Sequence, residues 1–521
     1  MTKPLQIGVL PVTMTIAASL DLDKAIETFK NTTQKLLEMG ESSEWDGQRL
    51  KEQEEKIRQA SLELAGQSIG ILLQRLSEEP LAQQQANQRT QSFRGFGSQS
   101  QGKKKVIVTT VGNVEVPLWI DYVLSRQPQN NSSKGKKQKK RGQRGKSKGQ
   151  GFYPFLRWLG MTEKVTPLVW STVTSFGMLS ASFAVAWGNL KEWGIDLSEQ
   201  RIERLTYRFG EVGIKLREEW LKQHQQCELP VGETLRGQRV VLSADGGRTR
   251  LRRAKKGKQR ADGQRGYQGN WREPKLFTLY AIDEQGQRIN TVALPVINDG
   301  TFEDVEGFMS LLEMYLVKMG IVQASQVLLI ADGAIWIWQR IPALLKRLGL
   351  SDEQIIELID FYHAAEHLRQ FSEFVFGKTS QAKQWFETAR STLKHQSFAT
   401  LLDEMQALAK ATTSKRKQEK LHKQLQYFSE QPHRFAYEQV QALKLPIGSG
   451  CIESLIRQVV NLRLKGPGKF WLPEHAEIVL HGRCQWAAGQ WHQFCQRVLT
   501  AGLAPKLASV LSFNPTELAA A

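Results

Sequence analysis

Val240-Val-Leu-Ser-Ala-Asp245-Gly-Gly-Arg-Thr-Arg250 is a short apolar run that ends on an acid and then turns basic. Val240, Val241 and Leu242 suit a strand covered on both faces, and Gly246-Gly247 lets the backbone turn at once. The stretch therefore reads as a buried strand that delivers Asp245 to a site for something anionic. Val327-Leu-Leu-Ile-Ala331 leads to Asp332-Gly333 in the same way, so two apolar strands each end in Ala-Asp-Gly. Asp-Gly after a strand is also ordinary turn chemistry. Two such acids in a basic chain point further, to a shared metal site.

The 521 residues carry 71 Lys and Arg against 52 Asp and Glu, a net charge of +19 that favours a polyanionic partner, with nucleic acid the leading one. A chain of this length implies several domains. Cys227, Cys451, Cys484 and Cys495 form no CxxC pair and no secreted-type framework, which fits reduced thiols in a cytoplasmic protein. Leu5 to Leu20 is interrupted by Pro11 and reads as mature sequence, and no apolar run approaches the roughly 20 residues of a membrane span.

Residues 1–104 read as a helical region and linker, with an amphipathic helix from Ser42 to about Leu76 that is open to interruption at Gly66, and a Gln/Ser/Gly-rich linker from Gln83 to Gly102. Residues 105–150 read as a small hairpin turning at Gly112-Asn113, followed by a run from Arg126 to Gln150 with ten basic residues and no acid. That run cannot build a core and serves either as a phosphate tether or as a solvated spacer. Residues 151–235 contain Ser180 to Trp193, a turn at Gly194 to Ser198, and Glu199 to Gly210, which resembles a helix-turn-helix presenting Arg201, Arg204 and Arg208 to DNA.

After Asp245 a second basic run includes Arg248, Arg250, Arg252, Arg253, Lys255 and Lys256. Leu276 to Ile282 and Ile289 to Val296 flank Asp283-Glu-Gln-Gly286 as a hairpin. Thr301-Phe-Glu-Asp304 opens a helix to about Met319, and Ile355 to Ile359 reads as a strand. Ala364 to Val440 is almost wholly helical, with Leu393, Phe398, Leu401 and Met405 on its apolar face. Beyond Gly448-Ser-Gly450, a helix puts Glu453, Arg457 and Asn461 on one face at i, i+4, i+8.

This order, with Asp245 on the first strand, Asp332 after the fourth and Glu453 after an all-helical insertion, resembles the ribonuclease H-like fold of the DDE transposases. Ala244-Asp-Gly-Gly-Arg248, Ala331-Asp-Gly-Ala-Ile-Trp336, Asp360-Phe-Tyr-His363 and Gly448-Ser-Gly-Cys-Ile-Glu453-Ser are similar to the ISKra-type insertion-sequence transposases. The resemblance implies an α/β fold with a mixed sheet, three antiparallel strands followed by parallel ones. The catalytic domain would span 236–363 and 441–500, with a helical insertion at 364–440 and a C-terminal tail at 501–521. It implies two Mg²⁺ or Mn²⁺ ions held by Asp245, Asp332 and Glu453, with His363 at the scissile phosphate or ordering a metal carboxylate. It implies double-stranded DNA at element ends and target DNA as partners, and paired protomers on that DNA. Arg248, Arg457, Arg463 and Lys465 are candidate phosphate contacts, and Trp336 is a candidate for stacking on an extruded base, or else a core tryptophan.

Two other readings compete. His363-Ala-Ala-Glu366-His367 matches the H-x-x-E-H signature of the inverzincin zinc peptidases, in which two histidines bind Zn²⁺. A DNA-binding protein with a dead nuclease fold is the third class, against which all three acids stand. If the basic run is a tether, deleting Lys134 to Lys148 weakens DNA binding at moderate salt and flattens its salt dependence, since each neutralised phosphate releases counterions. An unchanged slope of log affinity against log salt identifies a spacer.

Overall fold

A computed structural model describes residues 15–17, 21–40, 45–91, 94–125, 151–252, 258–259, 261, 263, 265–266 and 269–501. The basic run 126–150, Arg253, Lys255, Lys256 and the tail beyond 501 lie outside the described residues, as does most of Leu5 to Leu20. The chain is a mixed α/β protein that forms two compact units, Met1–Val212 with the chain from Cys495, and Gly213–Phe494. No helix among the described residues is long and apolar enough to cross a membrane.

In the first unit, helix Gly47–Glu78 runs unbroken through Gly66, because Gly66 is where Ile16 packs against the helix: an added Cβ would stand 2.3 Å from its Cδ1. The expected linker is instead ordered. Pro80–Thr90 is helical, its Ala82 and Ala86 buried beneath Ile107, Val116, Leu118 and Ile120, and the hairpin arms are long, Arg94–Thr109 and Gly112–Ser125. Small alanines at the right spacing carried the core face there, a signal that low hydrophobicity hid. The helix-turn-helix stretch forms as Phe183–Glu192 and Glu199–Gln225, with Gly194 at φ 84° and the Ser198 hydroxyl accepting from Arg201 N. Its arginines are gathered on Glu163. Arg204 makes a bidentate pair with Glu163 at 2.7 and 2.5 Å, Arg208 is buried with Nη1 3.2 Å from the same carboxylate, and Arg201 donates to the Glu163 carbonyl. Three cations converge on one acid, which gives them an internal pairing that the sequence pattern does not show.

The second unit is built on a five-stranded sheet: β1 (Arg239–Gly246), β2 (Lys275–Ile282), β3 (Ile297–Thr301), β4 (Gln326–Ala331) and β5 (Ile355–Ile359). Its spatial order is β3-β2-β1-β4-β5; β2 is antiparallel to β1 and β3, while β4 is parallel to β1 and β5. The third strand is Ile297–Thr301 and not Ile289 to Val296. The chain closes the turn with a single bridge from Ile282 to Arg288, then loops out through Pro295 until Leu279 faces Ile297. Helix α1 (Val305–Met319) is capped by Asp304 and ended by Gly320 at φ 76°; α2 (Ile335–Arg347) follows β4.

One face of the sheet packs Val240, Leu242, Leu329 and Ala331 against α1 and α2. The other packs Val241, Leu328, Ile330 and Leu358 against α3 (Phe361–Phe376), α4 (Ser380–His395), α5 (Phe398–Ala411) and α6 (Lys415–Ser429). Leu393, Phe398, Leu401 and Met405 are buried as expected from their spacing, but in a core continuous with the sheet. The helical stretch is a second layer on the sheet and has no separate core.

On β3, Asp299 is fully buried, accepting from Arg217 at 3.3 Å, His481 Nδ1 at 3.0 Å and the Tyr315 hydroxyl at 2.8 Å, and Arg217 also pairs with Glu477 at 2.5 Å. Burial raises the Asp299 carboxyl, but His481 and Arg217 outweigh it and hold the group at about 2. Because the folded value is depressed, this interaction stabilises the unit above the usual carboxylate range and is lost as pH falls through about 2. Arg217→Met leaves two carboxylates without their shared cation, and a loss of about 3 to 5 kcal/mol is expected in urea unfolding at neutral pH. A loss below about 1 kcal/mol, the size of a surface pair, would remove the network from the stability account.

Candidate active site

The register of the sheet decides where its acids stand. Leu242 faces Leu329 across β1 and β4, so the same offset carried three residues on sets Asp245 level with Asp332. Ala331 faces Ile359, so the next residues, Asp332 and Asp360, are level across β4 and β5. Side chains alternate along a strand, and Val241, Ile330 and Leu358 all face the helical layer; Asp245, Asp332 and Asp360 lie an even number of residues further and share that face. Three carboxylates therefore line the same end of three adjacent parallel strands, spaced by about 4.8 Å per strand.

The glycines that follow the first two acids stand close against other side chains. A Cβ on Gly333 would lie 2.9 Å from the Tyr427 ring of α6, one on Gly246 2.4 Å from Glu273 Oε1, and one on Gly247 3.0 Å from Val460. Val460 belongs to the helix that carries Glu453. This helix, α7, starts as Gly450–Ile456 and widens into a π-helix over Arg457–Leu464, burying Ile452, Leu455 and Ile456 and leaving Glu453, Arg457 and Asn461 exposed. Thr249 Oγ1 donates to Leu464 O at 2.9 Å, which ties the end of α7 to the chain just past Asp245. The expected i, i+4, i+8 face survives as an exposed side, on a helix wider than the α spacing assumed.

Asp360 is fully buried and makes the densest contacts of the site. Its Oδ1 accepts from His363 N at 2.8 Å and lies 3.2 Å from His363 Nδ1, and its Oδ2 accepts from Ser449 N at 2.5 Å. Burial raises its pKa, but the hydrogen bonds from His363 and Ser449 more than offset this and leave the carboxyl below its usual range. The bond to Asp360 in turn pushes the His363 imidazole up to about 9, against its partial desolvation, with Asp332 and Glu453 adding to the rise. The ligand atoms of Asp360, His363 and Glu453 lie within 4.8 Å of one another, and His363 Nδ1 is 3.8 Å from Glu453 Oε1. Asp245 and Asp332 lie outside that grouping, so the half-exposed Glu453 carboxylate leans toward His363 and is not gathered tightly with both aspartates.

Asp245 accepts from Gly246 N at 2.6 Å. Burial, followed by the like charge of Asp332, pushes its carboxyl up to about 6. Asp332 accepts from Ala334 N at 3.0 Å and its carbonyl from Trp338 Nε1 at 2.7 Å, which fixes the turn into α2. A carboxylate whose ionisation is opposed by a neighbouring carboxylate gains from a cation between them. Asp245 and Asp332 offer such a cation oxygen donors, the kind hard divalent ions take, while Glu453 stands with His363 and Asp360.

The remaining predicted residues divide. Arg248, Arg250, Arg457 and Lys465 are exposed, and Arg252 is half-buried in a ribbon that pairs Thr249–Arg252 with Gly269–Arg272. Arg463 is buried, its guanidinium 5.0 Å from the Trp471 ring centroid, and is no surface contact. Trp336 packs edge-on against Phe308 at 5.2 Å, as a core-side tryptophan does. His367 does not join His363: its Nδ1 lies 2.7 Å from Gln424 Oε1 and its ring stacks on Tyr427 at 3.8 Å, while exposed Glu366 reaches Arg369. The zinc-peptidase arrangement is thus not assembled. Asp360 as a third strand-end acid was legible only as the first residue of the Asp-x-x-His pair; its strand leads straight into a helix without the Gly that marked the other two.

No known family model matches the chain, and no curated protein matches it significantly. The Asp360 to His363 contact has its own test. In the protein without metal, His363 is expected to titrate near 9 by NMR. Asp360→Asn should bring it down toward the ordinary histidine range, about 6.5. The contact thus favours folding below the ordinary histidine pKa and is lost as pH rises through 9. A His363 that titrates identically in both proteins would show that Asp360 does not govern it.

Proposed function

We propose that this chain is a DNA transposase of the DDE type, with a ribonuclease H-like catalytic domain that cuts and joins phosphodiesters at the ends of an insertion sequence. The observation that carries the reading is the pair Asp245 and Asp332, level on adjacent parallel strands of a 3-2-1-4-5 sheet, with the helix of Glu453 packed over the turn that follows Asp245. Asp245, Asp332 and Glu453 would hold divalent ions, Mg²⁺ or Mn²⁺, which when bound activate the attacking oxygen and stabilise the leaving one.

The chain's own residues do the rest. Asp245, with its raised pKa, gives up its proton most readily when positive charge replaces it. His363, kept cationic by Asp360, is a hydrogen-bond donor suited to a phosphate oxygen and not a metal ligand in that state. Arg248, Arg250, Arg457 and Lys465 supply exposed positive charge around the acids for a DNA backbone. Element ends and target DNA are the proposed partners, and pairing of two ends calls for more than one protomer.

Purified protein, DNA carrying the element ends and Mg²⁺ provide the assay, with cuts mapped on both strands. Asp245→Asn, Asp332→Asn and Glu453→Gln are each expected to abolish cleavage while DNA affinity stays within about threefold, because each removes a ligand charge with little change of volume. Full activity in any one of them removes that residue from the site, and retained cleavage in all three overturns the mechanism.

A further inference from the structure

The ribbon that follows Asp245 carries an aromatic surface which the metal chemistry does not use. Thr249 and Leu251 point inward and are buried, while Arg248 and Arg250 point outward and are exposed. Arg250 faces Trp271 across the ribbon, and the Trp271 ring, 44% exposed, has the guanidinium carbons of Arg250 and Arg248 at 4.6 and 4.8 Å from its centroid. Arg250 also lies 5.9 Å from the Phe470 ring, and Arg272 is exposed beside Trp271.

The ribbon is held firmly. Arg252 N donates to Trp471 O at 2.8 Å, Trp471 N donates to Arg250 O at 3.3 Å, and Gly247 N donates to Pro274 O at 2.8 Å. Gly269 lets Phe470 seat directly on the strand: a Cβ there would lie 2.8 Å from the ring. An indole and two guanidinium groups thus stand together at a short ribbon that begins four residues past a strand-end carboxylate. Guanidinium groups lying over a part-exposed indole suit a ligand that is flat and anionic, which describes a nucleobase on its phosphate backbone.

We infer that Trp271, with Arg248 and Arg250, is a stacking platform for an unpaired base of the DNA strand brought to the acids. The assignment rests on the DNA-cleaving reading for its choice of strand, and its test needs no cleavage. The stack takes the base by its face, so sequence preference at this position should be weak, while the arginines hold the flanking phosphates. Arg250 is shared between Trp271 and Phe470.

The full-length protein would be titrated, in EDTA, with a fluorescent oligothymidylate strand and with the same strand carrying abasic sites throughout its middle. The intact strand is expected to bind about tenfold more tightly, and Trp271→Ala to remove that advantage while leaving the abasic strand unaffected. Trp271→Phe should restore most of it. As a measurement that does not depend on a variant folding, 5-iodouracil in the strand should crosslink on irradiation to the peptide containing Trp271. Equal binding of both strands by the unaltered protein, or crosslinks that spare that peptide, would overturn the platform. Protein that shows the base-dependent binding but never cuts element ends refutes the transposase reading alone; protein that cuts but shows no base dependence refutes the platform alone.

Discussion

The second unit depends on one buried carboxylate. Asp360 ends the last strand of the sheet, caps the first helix of the layer above it, and accepts from Ser449 just before the helix of Glu453. Phe361 N donates to Ile447 O beside it, so the two ends of a long helical excursion are fastened at a single point. A charge in so enclosed a place is tolerated only because each oxygen accepts a directed hydrogen bond. Removing it would leave Ser449 N and His363 Nδ1 without their acceptor and would free both the imidazole and the start of α7. The positions of His363 and Glu453 thus follow from the same group.

Charge alone could not sort the arginines. Arg201, Arg204 and Arg208 recur on one side of a helix after a turn, a pattern that serves DNA reading or internal pairing equally well until Glu163 is seen in their midst. Glu163 lies 38 residues before Arg201 in the chain, beyond the reach of any local pattern. Arg463 was hidden by its charge alone, since it stands seven residues after Ile456 and four after Val459, both buried, and so already belongs to the inward face of α7. Arg248 and Arg250 were easier, because strand alternation after Asp245 fixes which side faces out.

The strands and acids were the most legible part. β1, β4 and β5 are apolar runs bounded by polar residues, and their offsets from the acids follow from the period of two alone. Less legible was whatever depended on distant packing. The Pro80–Thr90 helix is too poor in large apolar residues to announce itself, and the third strand begins eight residues after the hairpin expectation placed it, because the loop before it is held by Asn290 Oδ1 accepting from Val296 N. The helical layer was visible as helix, but its sharing of the sheet's core was not, since periodicity gives the apolar face of a helix without saying what it meets.

The fastening of Asp360 to Ser449 also orders events in time. The two groups are 89 residues apart, and closing a loop of that length costs on the order of 4 kcal/mol of chain entropy before any contact repays it. Synthesis proceeds from the N-terminus, so a growing chain acquires Asp245 and Asp332 well before it acquires Ser449 and Glu453. During that interval the sheet's open face lacks the fastening that places His363 and Glu453. A chain that stops short of Ser449 would therefore carry Asp245, Asp332 and His363 without the contact that sets α7 beside them.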